Sequence, residues 1–152
     1  MVDSIREIID AVKPQNTFFT LETMPWIFPD TADSYLALLN AIDRKAFAVH
    51  FDPVNLITSP KVYYQNGTMI KEFITKLGPY IKSCHAKDIK LNSKFTVHLD
   101  EVMPGMGGLD YPVFLRELNK LDREIPIILE HLTTKEEYKI AADFIRKIAS
   151  RL

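Results

Sequence analysis

Four short apolar runs alternate with stretches of helical periodicity, and each run carries near its end a side chain able to ligate a metal. This alternation constrains the chain more than any other feature. Thr17 to Glu22, Ala46 to Asp52, Ile81 to Ala86 and Ile125 to Glu130 are aromatic or β-branched and read as strands. Before the first, Ile5, Ile8, Ile9 and Val12 share a helical face that Pro14 stops. After it, Pro25 and Pro29 mark a loop, Asp30 or Thr31 offers a cap, and Tyr35, Leu38, Leu39 and Ile42 form a buried stripe. Pro53 to Pro60 reads as a loop. A helix over about Thr68 to Leu77 turns Ile70, Phe73, Ile74 and Leu77 inward, and Gly78-Pro79 ends it. A long loop spans Asp88 to Gly108, followed by a helix from Tyr111 to Leu121 with Pro112 in its first turn. Thr134-x-x-Glu137 is a capping box, opening a helix to about Ser150 whose stripe of Tyr138, Ile140, Ala141, Phe144, Ile145 and Ile148 reads as core. The order is α-(βα)4. That predicts an α/β fold with a parallel sheet and helices outside it. The near-continuous apolar strands fit a sheet covered on both faces.

Composition removes several function classes. The 152 residues carry 19 basic and 20 acidic side chains, with no basic block to grip nucleic acid. No apolar run is long enough for a membrane span, and the N-terminal residues lack the pattern of a secretory signal. One cysteine, Cys84, allows no disulfide framework and fits a reducing compartment, so the expected location is cytoplasmic.

The strand ends carry the chemistry of parallel α/β sheets, and here they carry Glu22, Asp52, His85 and Glu130. If the strands curve as in an eight-stranded barrel, four of them span an arc of about 135°, with the outer two roughly 14 Å apart. A central ion then sits about 7 Å from each outer backbone, a gap that a glutamate plus one metal–oxygen bond can cover. The outer strands carry the long acids, and the inner strands carry Asp and His. Three carboxylates and one imidazole suit Mn²⁺ first, then Mg²⁺ or Co²⁺, with Zn²⁺ also admissible. Such an ion would keep positions open for a substrate that chelates through adjacent oxygens.

Leu21-Glu22-Thr23-Met24, His50-Phe51-Asp52-Pro53-Val54-Asn55, His85-Ala86-Lys87-Asp88, Pro104-Gly105-Met106-Gly107-Gly108-Leu109-Asp110-Tyr111 and Ile128-Leu129-Glu130-His131 carry a family resemblance. In that order they resemble the sugar phosphate isomerase/epimerase superfamily, the xylose isomerase-like TIM-barrel group that also contains endonuclease IV. The resemblance covers the whole chain and implies that residues 1–152 are one domain. That domain would be the C-terminal half-barrel, strands five to eight of the family fold, without the N-terminal half. It implies a metal-dependent isomerase or epimerase of a sugar, sugar phosphate or cyclic polyol, provided the full barrel is assembled. Glu22, Asp52, His85 and Glu130 would hold the metal. Glu22 and Glu130 would move protons on opposite faces of a ketose, through a cis-enediolate. Inosose dehydratases of the same group share the His-x-Lys-Asp pattern and imply a lyase as a third reading. Two positions depart from ketose 3-epimerases: Asn55 stands where they often place a histidine, and Leu91 where they place an arginine. Both bear on substrate specificity and leave the metal set intact. Endonuclease IV is poorly matched.

Around this set, Asn55, Lys87 and Trp26 are candidate substrate contacts. Lys87 would otherwise pair with Asp88 or Glu130, and Trp26 is equally readable as a loop anchor. His50 shares a face with Asp52 and is packing or a further substrate contact, packing being the plainer reading. Asp88 would orient His85 or Lys87 unless it is a cap, and His131 would orient Glu130. Four strands leave two open edges and an uncovered inner face. The expected partners are therefore a small carbohydrate and either a second copy, closing a four-plus-four homodimer, or a separate N-terminal half-barrel. A non-catalytic half-barrel that binds a sugar or a partner chain is the alternative to an enzyme.

Overall fold

The computed structural model describes residues 1–152. The order is α1 (Val2–Val12), β1 (Phe19–Glu22), α2 (Ala32–Ile42), β2 (Phe47–Phe51), α3 (Pro60–Tyr64), α4 (Asn66–Leu77), β3 (Ile81–Ala86), β4 (Asp88–Asn92), β5 (His98–Val102), α5 (Tyr111–Leu118), β6 (Ile127–Leu129) and α6 (Lys135–Ala149). Strands β1, β2, β3 and β6 pair in that order, all parallel, into one open sheet. The sheet is not a closed barrel; its edges are β1 and β6.

Local signals explain most boundaries. Lys13 takes a left-handed conformation (φ 49°) that closes α1 just before Pro14. Thr31, rather than Asp30, caps α2 through a reciprocal box with Ser34. Thr134 and Glu137 form the expected box at α6. Ser59 caps the short α3, with Pro60 in its first turn, so a helical turn fills the gap between the expected Pro53–Pro60 loop and the expected helix at Thr68.

The core lies between the outer face of the sheet and helices α2, α4 and α5. Phe51 stacks on Phe73 at 4.2 Å between centroids and meets Phe114 edge-on at 5.8 Å. The Tyr35 hydroxyl ties β1 to β2: it lies 2.6 Å from the Leu21 carbonyl and 3.0 Å from the Ala48 carbonyl, and accepts from the Leu21 N–H.

Three expectations need correction. The stretch after Asp88 is not a plain loop, because β4 and β5 form an antiparallel hairpin with Ile89 opposite Glu101 and Leu91 opposite Leu99. On α1, Ile5 and Ile9 are buried but Ile8 and Val12 are exposed. On α6, Ala141 is buried and Phe144, Ile145 and Ile148 pack on the core, while Tyr138 and Ile140 are exposed. The physical reason at α1 is the free edge of β1: Ile8 and Val12 line a crevice with Phe18 and Phe19, and no further strand or helix covers it. Periodicity marks an apolar face but not whether a neighbour lies against it.

Candidate metal centre

Glu22 is the last residue of β1, Asp52 follows β2, His85 is the penultimate residue of β3 and Glu130 follows β6. The parallel register carries all four to the same end of the sheet, pairing Glu22 with His50 and His85 with Ile128. One ligand atom from each of the four lies within 4.8 Å of the others. His85 Nδ1 sits at their middle, 2.9 Å from Glu130 Oε1, 3.1 Å from Glu22 Oε1 and 3.5 Å from Asp52 Oδ2.

Asp52 and Glu22 are held by groups outside the quartet. Asp52 is fully buried, and its Oδ1 accepts from the N–H groups of Val54 (2.9 Å) and Asn55 (3.3 Å). The Thr23 hydroxyl donates to the Asp52 carbonyl at 3.1 Å, linking the ends of β1 and β2. The Asn55 side-chain amide donates to Glu22 Oε1 at 3.0 Å, so this residue orients a member of the quartet.

Lys87, only 4% exposed, sends its ammonium into the quartet. It lies 2.8 Å from Asp52 Oδ2, in contact with Glu130 Oε1, and 3.7 Å from Glu22 Oε1. Asp52 Oδ2 and Glu130 Oε1 are buried and accept no well-directed hydrogen bond. The ammonium is near enough for an ion pair but badly aimed. Buried carboxylate oxygens left in that state are the donors that a divalent cation satisfies. The residues present therefore fit the ion that their residue types imply.

The local charges follow from this crowding. Burial and the Asp52 carboxylate raise Glu22, partly offset by His85. Burial opposes ionisation of Asp52, yet His85 and Lys87 outweigh it and hold the carboxyl down at about 2. Burial also works against charge on His85 and Lys87, and the surrounding carboxylates more than reverse it in both. His50 is pushed down to about 4 by burial and then by His85.

The remaining sequence candidates are placed as follows. The Asp88 carboxylate makes no hydrogen bond or ion pair with His85 or Lys87. It is buried and accepts from the backbone N–H groups of Ile89, Gly105, Gly107 and Leu109 at 2.8 to 3.0 Å, locking the glycine loop onto the hairpin. That corrects its expected orienting role: its two oxygens are saturated by main chain. The Lys87 carbonyl is held separately, by the Tyr111 hydroxyl at 2.7 Å. His131, in a left-handed conformation (φ 57°), places Nδ1 2.9 Å from Glu101 Oε1 and Nε2 3.6 Å from Glu130 Oε2. Trp26 is 74% exposed in the loop after β1, so it does not act as a packed loop anchor. Glu101 on β5, 3.8 Å from the Lys87 ammonium, is the residue that sequence reasoning missed. The alternation of Ile89 and Leu91 in β4 was the signal that a hairpin brings this segment to the site.

The model of one protein family, described as xylose isomerase-like TIM barrel, matches residues 1–148. The chain belongs to the xylose isomerase-like TIM barrel family. Among solved structures of this group, a xylose isomerase domain protein from Planctomyces limnophilus superposes with a TM-score of 0.76 at 22% identity, over 99% of this chain and 51% of its own. A xylose isomerase-like TIM barrel protein from Mycobacterium smegmatis, solved in complex with magnesium, gives 0.72 at 19% identity, over 98% of this chain and 48% of its own. D-psicose 3-epimerase from Clostridium cellulolyticum H10, solved with D-tagatose, gives 0.70 at 16% identity, over 97% and 55%. At these identities the likeness shows the fold. The chain spans about half the length of these structures. Among curated proteins, none matches the chain in sequence. No helix is long and apolar enough to cross a membrane.

Proposed function

We propose that this xylose isomerase-like chain supplies the metal-binding and proton-transferring half of a sugar isomerase or epimerase. Its substrate would be a sugar, sugar phosphate or cyclic polyol, and its metal Mn²⁺. The observation that carries this reading is the convergence of Glu22, Asp52, His85 and Glu130, one from each strand end, on a region no wider than 4.8 Å. Glu22 and Glu130 come from the two edge strands, so the two carboxylates approach the shared site from opposite sides. Burial and the neighbouring Asp52 favour the protonated form of Glu22, which suits a proton-transferring acid, and Asn55 keeps its Oε1 in place. Glu130 would take or return the proton on the opposite face, through a cis-enediolate of the sugar. Lys87 would turn its ammonium to a substrate oxygen, with Glu101 as its remaining carboxylate. A divalent ion bound by the four would polarise the two chelating substrate oxygens and ease the negative charge that develops there.

The direct test is deuterium uptake from D₂O into candidate ketoses, with Mn²⁺ present. Exchange at the carbon beside the carbonyl is expected, and Glu130→Gln is expected to slow it by about 10²–10⁴-fold. A metal-loaded chain that exchanges no ketose favours the second reading, a half-barrel module that binds a sugar or a partner chain.

One observation favours a missing complement in either case. The sheet has two free edges, and Ile8, Val12 and Phe18 near β1 and Ile128 in β6 are exposed. Their burial by a second copy would close a four-plus-four homodimer. Sedimentation at micromolar concentration is expected to give a dimer. A stable monomer across that range would contradict it.

A further inference from the structure

His50 takes part in neither the quartet nor the proposed acid–base pair. Strand β2 buries it, 9% exposed, with its ring edge-on to His85 at 4.0 Å between centroids. Its Nδ1 lies 2.5 Å from Ser83 Oγ, a pairing set by the irregular register that places His50 opposite Ser83. Its other nitrogen, Nε2, is buried with no hydrogen-bond partner. A buried imidazole nitrogen left unpaired is costly, so it asks for a ligand. In the tautomer whose Nδ1–H donates to Ser83, Nε2 keeps a bare lone pair, the form that a metal ligand requires. A His50 nitrogen, a His85 nitrogen and a Glu22 oxygen lie within 4.8 Å of one another.

We propose that Glu22, His50 and His85 form a second, nitrogen-rich cation subsite that takes Zn²⁺, overlapping the quartet and exclusive with it. Exclusion follows from sharing. His85 turns Nδ1 to the quartet, Glu22 Oε1 lies 3.1 Å from that atom, and one imidazole lone pair binds one ion. Choice between the positions follows from ligand chemistry. Two imidazoles and a carboxylate with an open fourth place are a zinc set, whereas three carboxylates and an imidazole favour harder ions such as Mn²⁺ and Mg²⁺. Lys87 sharpens the choice. An ion in the quartet must take Asp52 Oδ2 and Glu130 Oε1 from the ammonium, while an ion on the His50 side leaves that pairing intact. Zinc held there occupies Glu22 without engaging Glu130. On the isomerase reading it therefore inhibits, but the subsite itself does not depend on that reading.

Binding measurements decide it without any turnover. By titration calorimetry on the metal-free chain, His50→Gln is expected to weaken Zn²⁺ by about tenfold or more while leaving Mn²⁺ within about threefold; Asp52→Asn is expected to do the reverse. Zinc-edge X-ray absorption should count two imidazoles in the wild type and one in His50→Gln. Added Zn²⁺ should release bound Mn²⁺ one for one, read from the paramagnetic resonance of the free ion. These wild-type measurements stand even if the variant does not fold. One imidazole on zinc in the wild type, simultaneous binding of both ions, or a zinc affinity that follows Asp52 rather than His50 would overturn the proposal.

Discussion

Asp52→Ala is expected to cost the metal-free protein about 3 kcal/mol and to lower its melting temperature by roughly 6 to 12 °C. The change does three things at once. It removes the acceptor for the Val54 and Asn55 N–H groups, so the turn that carries Asn55 toward Glu22 loses its lock. It takes away the best-placed carboxylate of a buried ammonium, since Lys87 is 2.8 Å from Asp52 Oδ2. It also leaves a small void at a site with no solvent exposure. The figure sits at the lower end for a broken buried pair because Glu130 and Glu22 still face the ammonium. Lys87→Met in the Asp52→Ala background should restore part of the loss, and a double-mutant cycle measures the coupling. Equal losses in the single and double variants would show that the pair does not stabilise the fold. The acid side has a defined sign. The folded Asp52 carboxyl, near 2, lies below its ordinary 3.8, so its contribution is complete above pH 3.8 and is lost as pH falls toward 2.

Asp88→Ala should be about as damaging, by a different route. Four main-chain N–H groups converge on one buried carboxylate, and two of them, those of Ile89 and Leu109, belong to buried residues that cannot turn to water instead. Each neutral donor to a charged acceptor contributes more than an ordinary hydrogen bond, so a loss of about 3 kcal/mol or more is expected. Asp88→Asn should recover little of it. One of its two atoms would become an NH₂ facing N–H donors, either from Ile89 and Leu109 or from Gly105 and Gly107. The loop is also closed to adjustment at Gly107, where a Cβ would come within 2.3 Å of the Ile89 carbonyl and 2.4 Å of Asp88 Oδ1. Hydrogen exchange at Gly105, Gly107 and Leu109 checks the mechanism. Those amides should lose protection in Asp88→Asn before the sheet amides do, and unchanged protection would show that the carboxylate is not their lock.

The strands and the helix caps were legible because their signals are local. Thr134 and Glu137 meet across three residues, and Phe51 and Asp52 adjoin in one run. The quartet was legible because a parallel sheet sends every strand end to the same side, so one polar residue closing each apolar run becomes a cluster without further information. What stayed hidden depends on distant partners. Asp88 finds its donors up to 21 residues downstream, and Asn55 reaches back 33 residues to Glu22. The hairpin of β4 and β5 has only a short alternation, with Lys90 outward and no tight two-residue turn between Asn92 and His98, so it reads as loop. Glu101 was missed for that reason: the Ile89–Leu91 alternation that signals the hairpin is too short to stand out. The exposure of Ile8, Val12, Tyr138 and Ile140 was hidden for another: a helix shows an apolar face in its own sequence, but whether another element lies against that face is decided by distant parts of the chain.

The central claim is that one divalent ion is gripped by two long acids, a short acid and an imidazole, all from this chain. An anomalous difference map from crystals grown with Mn²⁺ tests it most directly. The account predicts a single peak bonded to Glu22, Asp52, His85 and Glu130, with the Lys87 ammonium withdrawn from Asp52. A map with no peak among these four at millimolar Mn²⁺, and Lys87 still seated between Asp52 and Glu130, would contradict it.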